Sequence, residues 1–453
     1  MTKGLFSEFN PVSSKQWKQK IQYDLQGANY NHALIWNSNE AIAVKPFYHA
    51  DDFNANPKTS NTEATQWKIC QTIFVADVEK SNQHAINVLN RGAESIKFVL
   101  PSEAISIEKL VENIALENHQ FIFELQCLSE ILIQNILQHI PKAIIDIDII
   151  HQLAKTGNWF NNIHTDFKSY ESITSETSTI TVHVSLYQNA GATMVQQLAY
   201  ALAHLNEYVN ALNNRSVKLA EYQVVFNVTV GSNYFFEIAK LKALRLLWET
   251  LAAEYGMNTN CQITATPTKR NKTIFDAHTN MLRSTTECMS AILGGANTIC
   301  NRAYDSIFKK TNAFSERIAR NQLLILKHES YFDKVNNPSD GSYYVESLTQ
   351  QLSEKALELF KDIERNGGFL KQLKAGIIQR KIKESAQKES QQFENGDTIL
   401  IGTNKHQNPD DLMKDQLDLY PFVKTNPRKT LIEPIIEKRL AESQEQKRLK
   451  NEH

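Results

Sequence analysis

Residues 185–193 read SLYQNAGAT, which has the frame of a catalytic strand end. A β-rich run arrives at a Gly-Ala turn, and an amphipathic helix opens directly beyond it. Such strand ends supply the working side chains of α/β barrels. What this one lacks is a side chain that does chemistry. The nearest imidazole, His183, lies an odd number of residues from Leu186. Strand alternation therefore sends it to the opposite face, as a structural or surface histidine. Elsewhere the chain has no G-x-x-x-x-G-K-[ST] phosphate loop, no G-x-S-x-G elbow and no H-E-x-x-H pair. Its five cysteines, Cys70, Cys127, Cys261, Cys288 and Cys300, are scattered without a C-x-x-C. That pattern argues against a disulfide framework or zinc site and fits a reducing compartment.

The elements that position this strand end repeat along the chain. β-rich runs lie at 68–75, 95–100, 121–127, 143–150, 179–186, 222–230, 261–268 and 297–300, with helical patterns between them. Eight strands alternating with helices predict a (β/α)8 TIM barrel, an α/β fold. After SLYQNAGAT, Val195, Leu198, Leu202, Leu205 and Val209 recur at helical spacing. After the sixth run, Ser232 or Asn233 can cap a helix whose apolar side is Phe235, Ile238, Leu241 and Trp248. Both stripes read as core. Residues 1–60 read as an N-terminal arm, 61–345 as the barrel, and 346–453 as a helical C-terminal extension with one short strand, DTILIG (397–402). The last thirty residues read as a charged helix, solvated or facing a partner.

The chain has 453 residues, with 49 Lys+Arg against 50 Asp+Glu. This balance excludes broad binding to nucleic acid or anionic membrane. No apolar run approaches the roughly 20 residues of a membrane span, and the first residues show no signal or transit pattern. A cytoplasmic location is expected.

Several segments carry a resemblance. WKQKIQYDLQGANYNHALIW (17–36) followed by AVKPFYHADD (43–52) resembles the N-terminal region of adenosylcobalamin-dependent acyl-CoA mutases. YFFEIAKLKALRLLW (234–248), LRSTTECMSAILGGANT (282–298) and FSERIARNQLLILKHES (314–330) resemble consecutive barrel segments of the methylmalonyl-CoA mutase family. NNPSDGSYYVESLT (336–349) and FENGDTILIGTNKH (393–406) extend the likeness nearly to the C-terminus. In that family the cofactor supplies radical chemistry, while the protein orients the thioester and excludes water.

The resemblance breaks where the family does its chemistry. Its Tyr-His pair, whose imidazole donates to the thioester oxygen, corresponds to Ser185 and Leu186. Losing one such donor costs about 100- to 1000-fold in rate. Its Glu-Gln-Asp corresponds to Ile274, Phe275 and Asp276, and its Ser-Leu-His to Thr298, Ile299 and Cys300. The carboxylate-gripping arginine after strand four has no counterpart, although His151 and Gln152 lie nearby out of pattern. The Thr-Ile-Arg-Gln-Tyr-Ala-Gly stretch after strand one is also missing. Against the family's cobalt-binding D-x-H-x-x-G there is only DAHTNM (276–281), with Met281 in place of glycine. The basic TPTKRNKT (266–273) is able to meet coenzyme A phosphates but reads as a solvated loop.

The resemblance thus implies a small, noncatalytic subunit without a cobalamin-binding domain. It would bind no cofactor or metal itself and would stabilise a large catalytic mutase subunit that carries adenosylcobalamin. Two alternatives stand beside this reading: the acyl-CoA-binding catalytic subunit of a split mutase, and a barrel repurposed to bind another acyl-CoA. The reading also implies a filled barrel axis. Ile145, Ile147 and Ile149, Phe121, Phe123 and Leu125, and Val182, Val184 and Leu186 would plug it, with polar Gln223, Asn227 and Thr229 left to line any residual cleft.

Overall fold

The computed structural model describes residues 7–55, 57, 59–60, 62–213, 218–424 and 427–452, so part of the expected arm (1–6, 56 and 58) lies outside the described residues. Eight parallel strands form one sheet: β1 (Lys68–Phe74), β2 (Ser95–Leu100), β3 (Gln120–Leu125), β4 (Ile144–Asp146), β5 (Thr179–His183), β6 (Gln223–Val230), β7 (Cys261–Pro267) and β8 (Thr298–Cys300). β8 returns to β1, with Ile299 opposite Ile69, and the helices lie outside. This is the α/β TIM barrel expected from the alternating pattern.

One seam is not closed by a backbone ladder. The ladders run from β4 round to β5, and these two carry no strand pairing to each other. Both are shorter than their apolar runs, because Asp148 caps helix Ile149–Thr156 and helix Ser185–Asn189 starts straight after β5. Side chains bridge the gap instead. Thr181 Oγ1 accepts from the Ile147 N–H at 3.1 Å and donates to the Ile147 carbonyl at 2.8 Å. Asp148 accepts from the His183 N–H at 2.8 Å, from His204 Nε2 at 2.9 Å and from the Tyr208 hydroxyl at 2.6 Å. It also takes the His151 N–H at 2.7 Å as the helix cap.

Strand parity separates two environments. Phe98, Phe121, Phe123, Leu125, Ile145, Ile147, Val182, Val184 and Leu186 join the main apolar cluster, together with Ile133 and Ile136 of the surrounding helices. The expected axial plug is therefore an outer core. Each such buried side chain contributes about 1.5–3 kcal/mol. The axis is filled low down by Cys70, Ile122, Cys300 and Ile144, and is polar above them.

Helix Met194–Asn213 buries Leu198, Leu202, Leu205 and Val209 as its stripe predicts. Helix Tyr234–Tyr255 differs from its pattern. Phe235 is exposed, Asn233 makes no side-chain cap, and Glu237, Lys240 and Lys242 are buried through ion pairs. Gly191 of the NAGA turn has φ +99°, and a Cβ there would approach Ala386 Cβ to 2.6 Å. Only glycine fits that turn.

The C-terminal region corrects two expectations. DTILIG is no strand and keeps only an isolated bridge, Ile401 with Lys405. Asn404 closes the segment on itself by accepting from the Leu400 N–H at 2.8 Å and donating to the Thr398 carbonyl at 2.7 Å. The final charged stretch is helical only over Glu442–Lys450. Before it, Pro434 disfavours helix, and residues 431–440 run extended across the C-terminal mouth of the barrel. Ile435 donates to the Ala154 carbonyl (2.7 Å), Lys438 to that of Asn189 (3.1 Å) and Leu440 to that of Arg270 (2.8 Å). Glu445 of the helix is buried and pairs with Arg439 at 2.6 Å, so this is a packed strap and not a solvated tail.

Asp148→Ala removes the acceptor shared across the seam. The His183 amide, the His204 ring and the Tyr208 hydroxyl then lose a buried partner at about 1–3 kcal/mol each. Urea denaturation should show a loss of more than about 3 kcal/mol, with a smaller loss for Asp148→Asn, which keeps one oxygen. An unchanged midpoint for the alanine variant would contradict this account of closure.

Candidate functional site

The polar upper barrel opens into a cavity of about 430 Å³ beneath the strap. At its floor, strands two to six each turn one polar side chain inward. Asp146 Oδ1 accepts from His183 Nε2 at 2.7 Å and from Asn227 Nδ2 at 3.0 Å, while Oδ2 takes Lys97 Nζ at 2.8 Å. Lys97 also meets Glu124 at 2.7 Å. The His151 ring lies against His183, tilted by 35°, with centroids 4.6 Å apart.

Burial opposes ionisation throughout this network, and opposite charges overcome it at four members, Glu124 being lowered by Lys97 against its own burial. Against its own burial, Asp146 is held well below the usual carboxylate range by His183 and Lys97. Burial would lower His183, but the charge and hydrogen bond of Asp146 raise it above 6.5. Lys97, likewise desolvated, is raised by Asp146 and Glu124. His151 has no such partner, and burial followed by the charge of His183 pushes it down to about 3. The floor thus holds fixed, mutually satisfied charges. It can orient a polar ligand, but its strong acids and bases are bound to one another.

The four positions singled out by the sequence divide between two places. Ser185 and Cys300 line the cavity. Cys300 stands in register with Cys70, whose hydrogen bond lowers its thiol against burial, with help from Lys97. Leu186 is 1% exposed and belongs to the outer core, so it neither reaches nor narrows the cavity. Phe275 joins a rim cluster with Ile274, Phe308, Met413 and Phe422, and the Arg448 guanidinium lies 3.9 Å from its ring centroid.

His183, expected as a structural or surface histidine, is buried in the barrel interior. Asn227 and Thr229 line the cavity as expected, whereas Gln223 is exposed. The basic 266–273 loop is not solvated. Lys272 pairs with Glu287 at 2.7 Å, Arg270 with Glu389 at 2.6 Å and Lys269 with Glu437 at 3.4 Å.

Sequence reasoning missed Lys97, Glu124 and Asp146. Their signal was present: a lone charge stands mid-run in SIKFVL and in FIFELQC, and two aspartates interrupt AIIDIDII. No group of three or more metal-binding side chains occurs among the described residues. His278 of DAHTNM stacks on Tyr304 with centroids 5.2 Å apart, and the strap crosses the mouth above. These residues do not form a seat for a corrin.

A family model described as methylmalonyl-CoA mutase matches residues 141–451. The chain is similar to the methylmalonyl-CoA mutase small subunit of Porphyromonas gingivalis, 33% identical over 452 residues, covering 92% of this chain and 73% of the relative. It is also similar to the methylmalonyl-CoA mutase of Cereibacter sphaeroides, 28% identical, covering 86% of this chain and 64% of that protein. A third relative, the methylmalonyl-CoA mutase small subunit of Streptomyces virginiae, is 25% identical, covering 83% of this chain and 68% of its own length.

Asp146→Asn should cost about 3–5 kcal/mol, because Lys97 and His183 lose their shared counter-charge. The pH dependence has two limbs. His183 is raised when folded, so its contribution is complete below about pH 6.5 and is lost as pH climbs through the folded value. Asp146 is depressed, so its contribution is present above 3.8 and is lost as pH falls through the folded value. The variant should flatten both limbs in denaturation curves and lower the His183 titration followed by NMR. Unaltered titration of His183 would refute the pairing.

Proposed function

Because the chain belongs to the methylmalonyl-CoA mutase family, we propose that it serves as the small, noncatalytic subunit of a heterodimeric mutase. The complex interconverts methylmalonyl-CoA and succinyl-CoA, and the larger chain carries both the active site and adenosylcobalamin. One observation carries this reading. Where the family resemblance places the imidazole that donates to the thioester, this chain has Leu186, buried in the outer core. A leucine has no donor, and no small rotation of this one reaches the cavity.

The strap supports the same conclusion. Reactions in such barrels take place at the C-terminal mouth, and residues 431–440 cross it. This also weighs against the split-enzyme alternative, since a substrate-binding catalytic chain needs that entrance. The N-terminal arm supports a partner. Helix Ser14–Asp24 has no buried residue, and Trp17, Tyr23 and Trp36 are all exposed. The helix holds to the rest of the arm through Trp17 against Phe47, the Ser14 N–H on Asp51 and Lys18 over the Tyr30 ring, and docking it on a second chain would bury its aromatics. No helix of the described residues is long and apolar enough to cross a membrane.

Two measurements test the proposal together. Alone, even with a cobalamin-binding domain supplied, the chain should give no turnover of methylmalonyl-CoA. Co-expressed with a catalytic mutase chain, it should elute as a one-to-one complex burying more than about 2,000 Å². Turnover by the chain alone, or separate elution of the two at micromolar concentration, overturns it.

A further inference from the structure

The cavity under the strap has an imbalance that the proposed subunit role does not use. On its floor, Lys97 and His183 are matched by Glu124 and Asp146. Around the upper wall the match fails. Arg302 lies two residues beyond Cys300, on the inward parity of β8, and lines the cavity. Its Nε makes only a long bond to the Pro267 carbonyl, at 3.4 Å. Among the described residues no carboxylate comes within ion-pair distance of it, and burial lowers its pKa.

Lys155, an exposed residue, lines the same wall and has no ion pair among the described residues, while Lys269 shares Glu437 at 3.4 Å. Three cations therefore face one carboxylate. On the far rim the acids have their own partners: Glu316 pairs with His84 at 2.8 Å, and Asp305 accepts from Asn312 Nδ2 at 3.0 Å. A guanidinium stays charged at any ordinary pH, and Arg302 is partly shielded from water with no ion-pair partner of its own, only the more distant charge of Glu437 that it shares with the two lysines. Arg302 is thus poised for an anion that the chain does not itself provide.

We infer that the barrel mouth binds a compact oxyanion, a small dicarboxylate or a phosphate group, through Arg302 and Lys269, with the Glu437 segment as its cover. The volume suits a small molecule, and the planar guanidinium can meet two oxygens at once. Glu437 accepts from Asn189 Nδ2 at 2.8 Å as well as from Lys269. An entering anion competes with it for the lysine, so binding should loosen or reposition the strap. The inference does not depend on whether the chain pairs with a larger subunit.

The test uses the full chain at low ionic strength. Inorganic phosphate and malate are titrated separately by calorimetry, with the neutral diamide of succinic acid as control. At least one anion should bind saturably while the diamide does not, and the anion that binds identifies the oxyanion type. Arg302→Gln should weaken that binding at least tenfold, and Arg302→Lys should retain part of it. Without anion, Arg302→Gln should melt at or above the parent temperature, because a partly buried charge with no ion-pair partner is removed. A merely structural arginine predicts the opposite. Should Arg302→Gln not fold, the arginine is structural and the proposal fails. Saturation by neither anion, or equal affinity in parent and variant, overturns it as well.

Discussion

The barrel is closed by two aspartates. Seven of its junctions are backbone ladders, but between β4 and β5 the sheet has no strand pairing, and Asp146 and Asp148 supply the connection. The cause is local. β4 ends after three residues because Asp148 is the cap of the next helix. A carboxylate at that position accepts the helix N–H groups and, with its second oxygen, the amide of the facing strand. Cap and seam are one interaction, so the helix that follows β4 and the closure of the barrel form together.

That arrangement explains why the barrel keeps so much buried charge. Isolated buried ion pairs gain little, since desolvation offsets their attraction. Here the charges also do the geometric task of a missing ladder, and each is held by more than one partner. Removing the network would open the seam as well as unpair the ions. The floor of the cavity is therefore maintained by the fold's own requirements, whether or not chemistry occurs above it.

The C-terminal strap ties the mouth to the remote ends of the chain. Gly157 has φ +79°, and a Cβ there would come within 2.7 Å of the Ile432 carbonyl oxygen, so any side chain would lift the strap. Arg439 then reaches the Lys272 carbonyl at 2.9 Å and Glu445 at 2.6 Å, locking the last helix onto the rim cluster around Phe275. Two of the positions singled out in the sequence serve packing. Leu186 went to the outer core and Phe275 to the rim, and each change buries apolar surface where a polar contact would otherwise be needed.

The sequence by itself determined the eight strands, their order and the fold class, because alternating short β-rich runs and helical stripes are local patterns. It also determined which family the segments resemble and that Leu186 cannot donate a hydrogen bond. It misplaced the barrel's interior. One side of β3 and β4 is wholly apolar and the other mixes isoleucine with a carboxylate, and parity alone does not say which side faces the helices. Only the closed sheet decided that, by bringing Lys97, Glu124, Asp146 and His183 within hydrogen-bonding distance, where their charges cancel. Tertiary structure likewise turned a charged C-terminal stretch into a strap. Its carboxylates and arginines found buried partners more than a hundred residues away, and no local pattern encodes a partner at that distance.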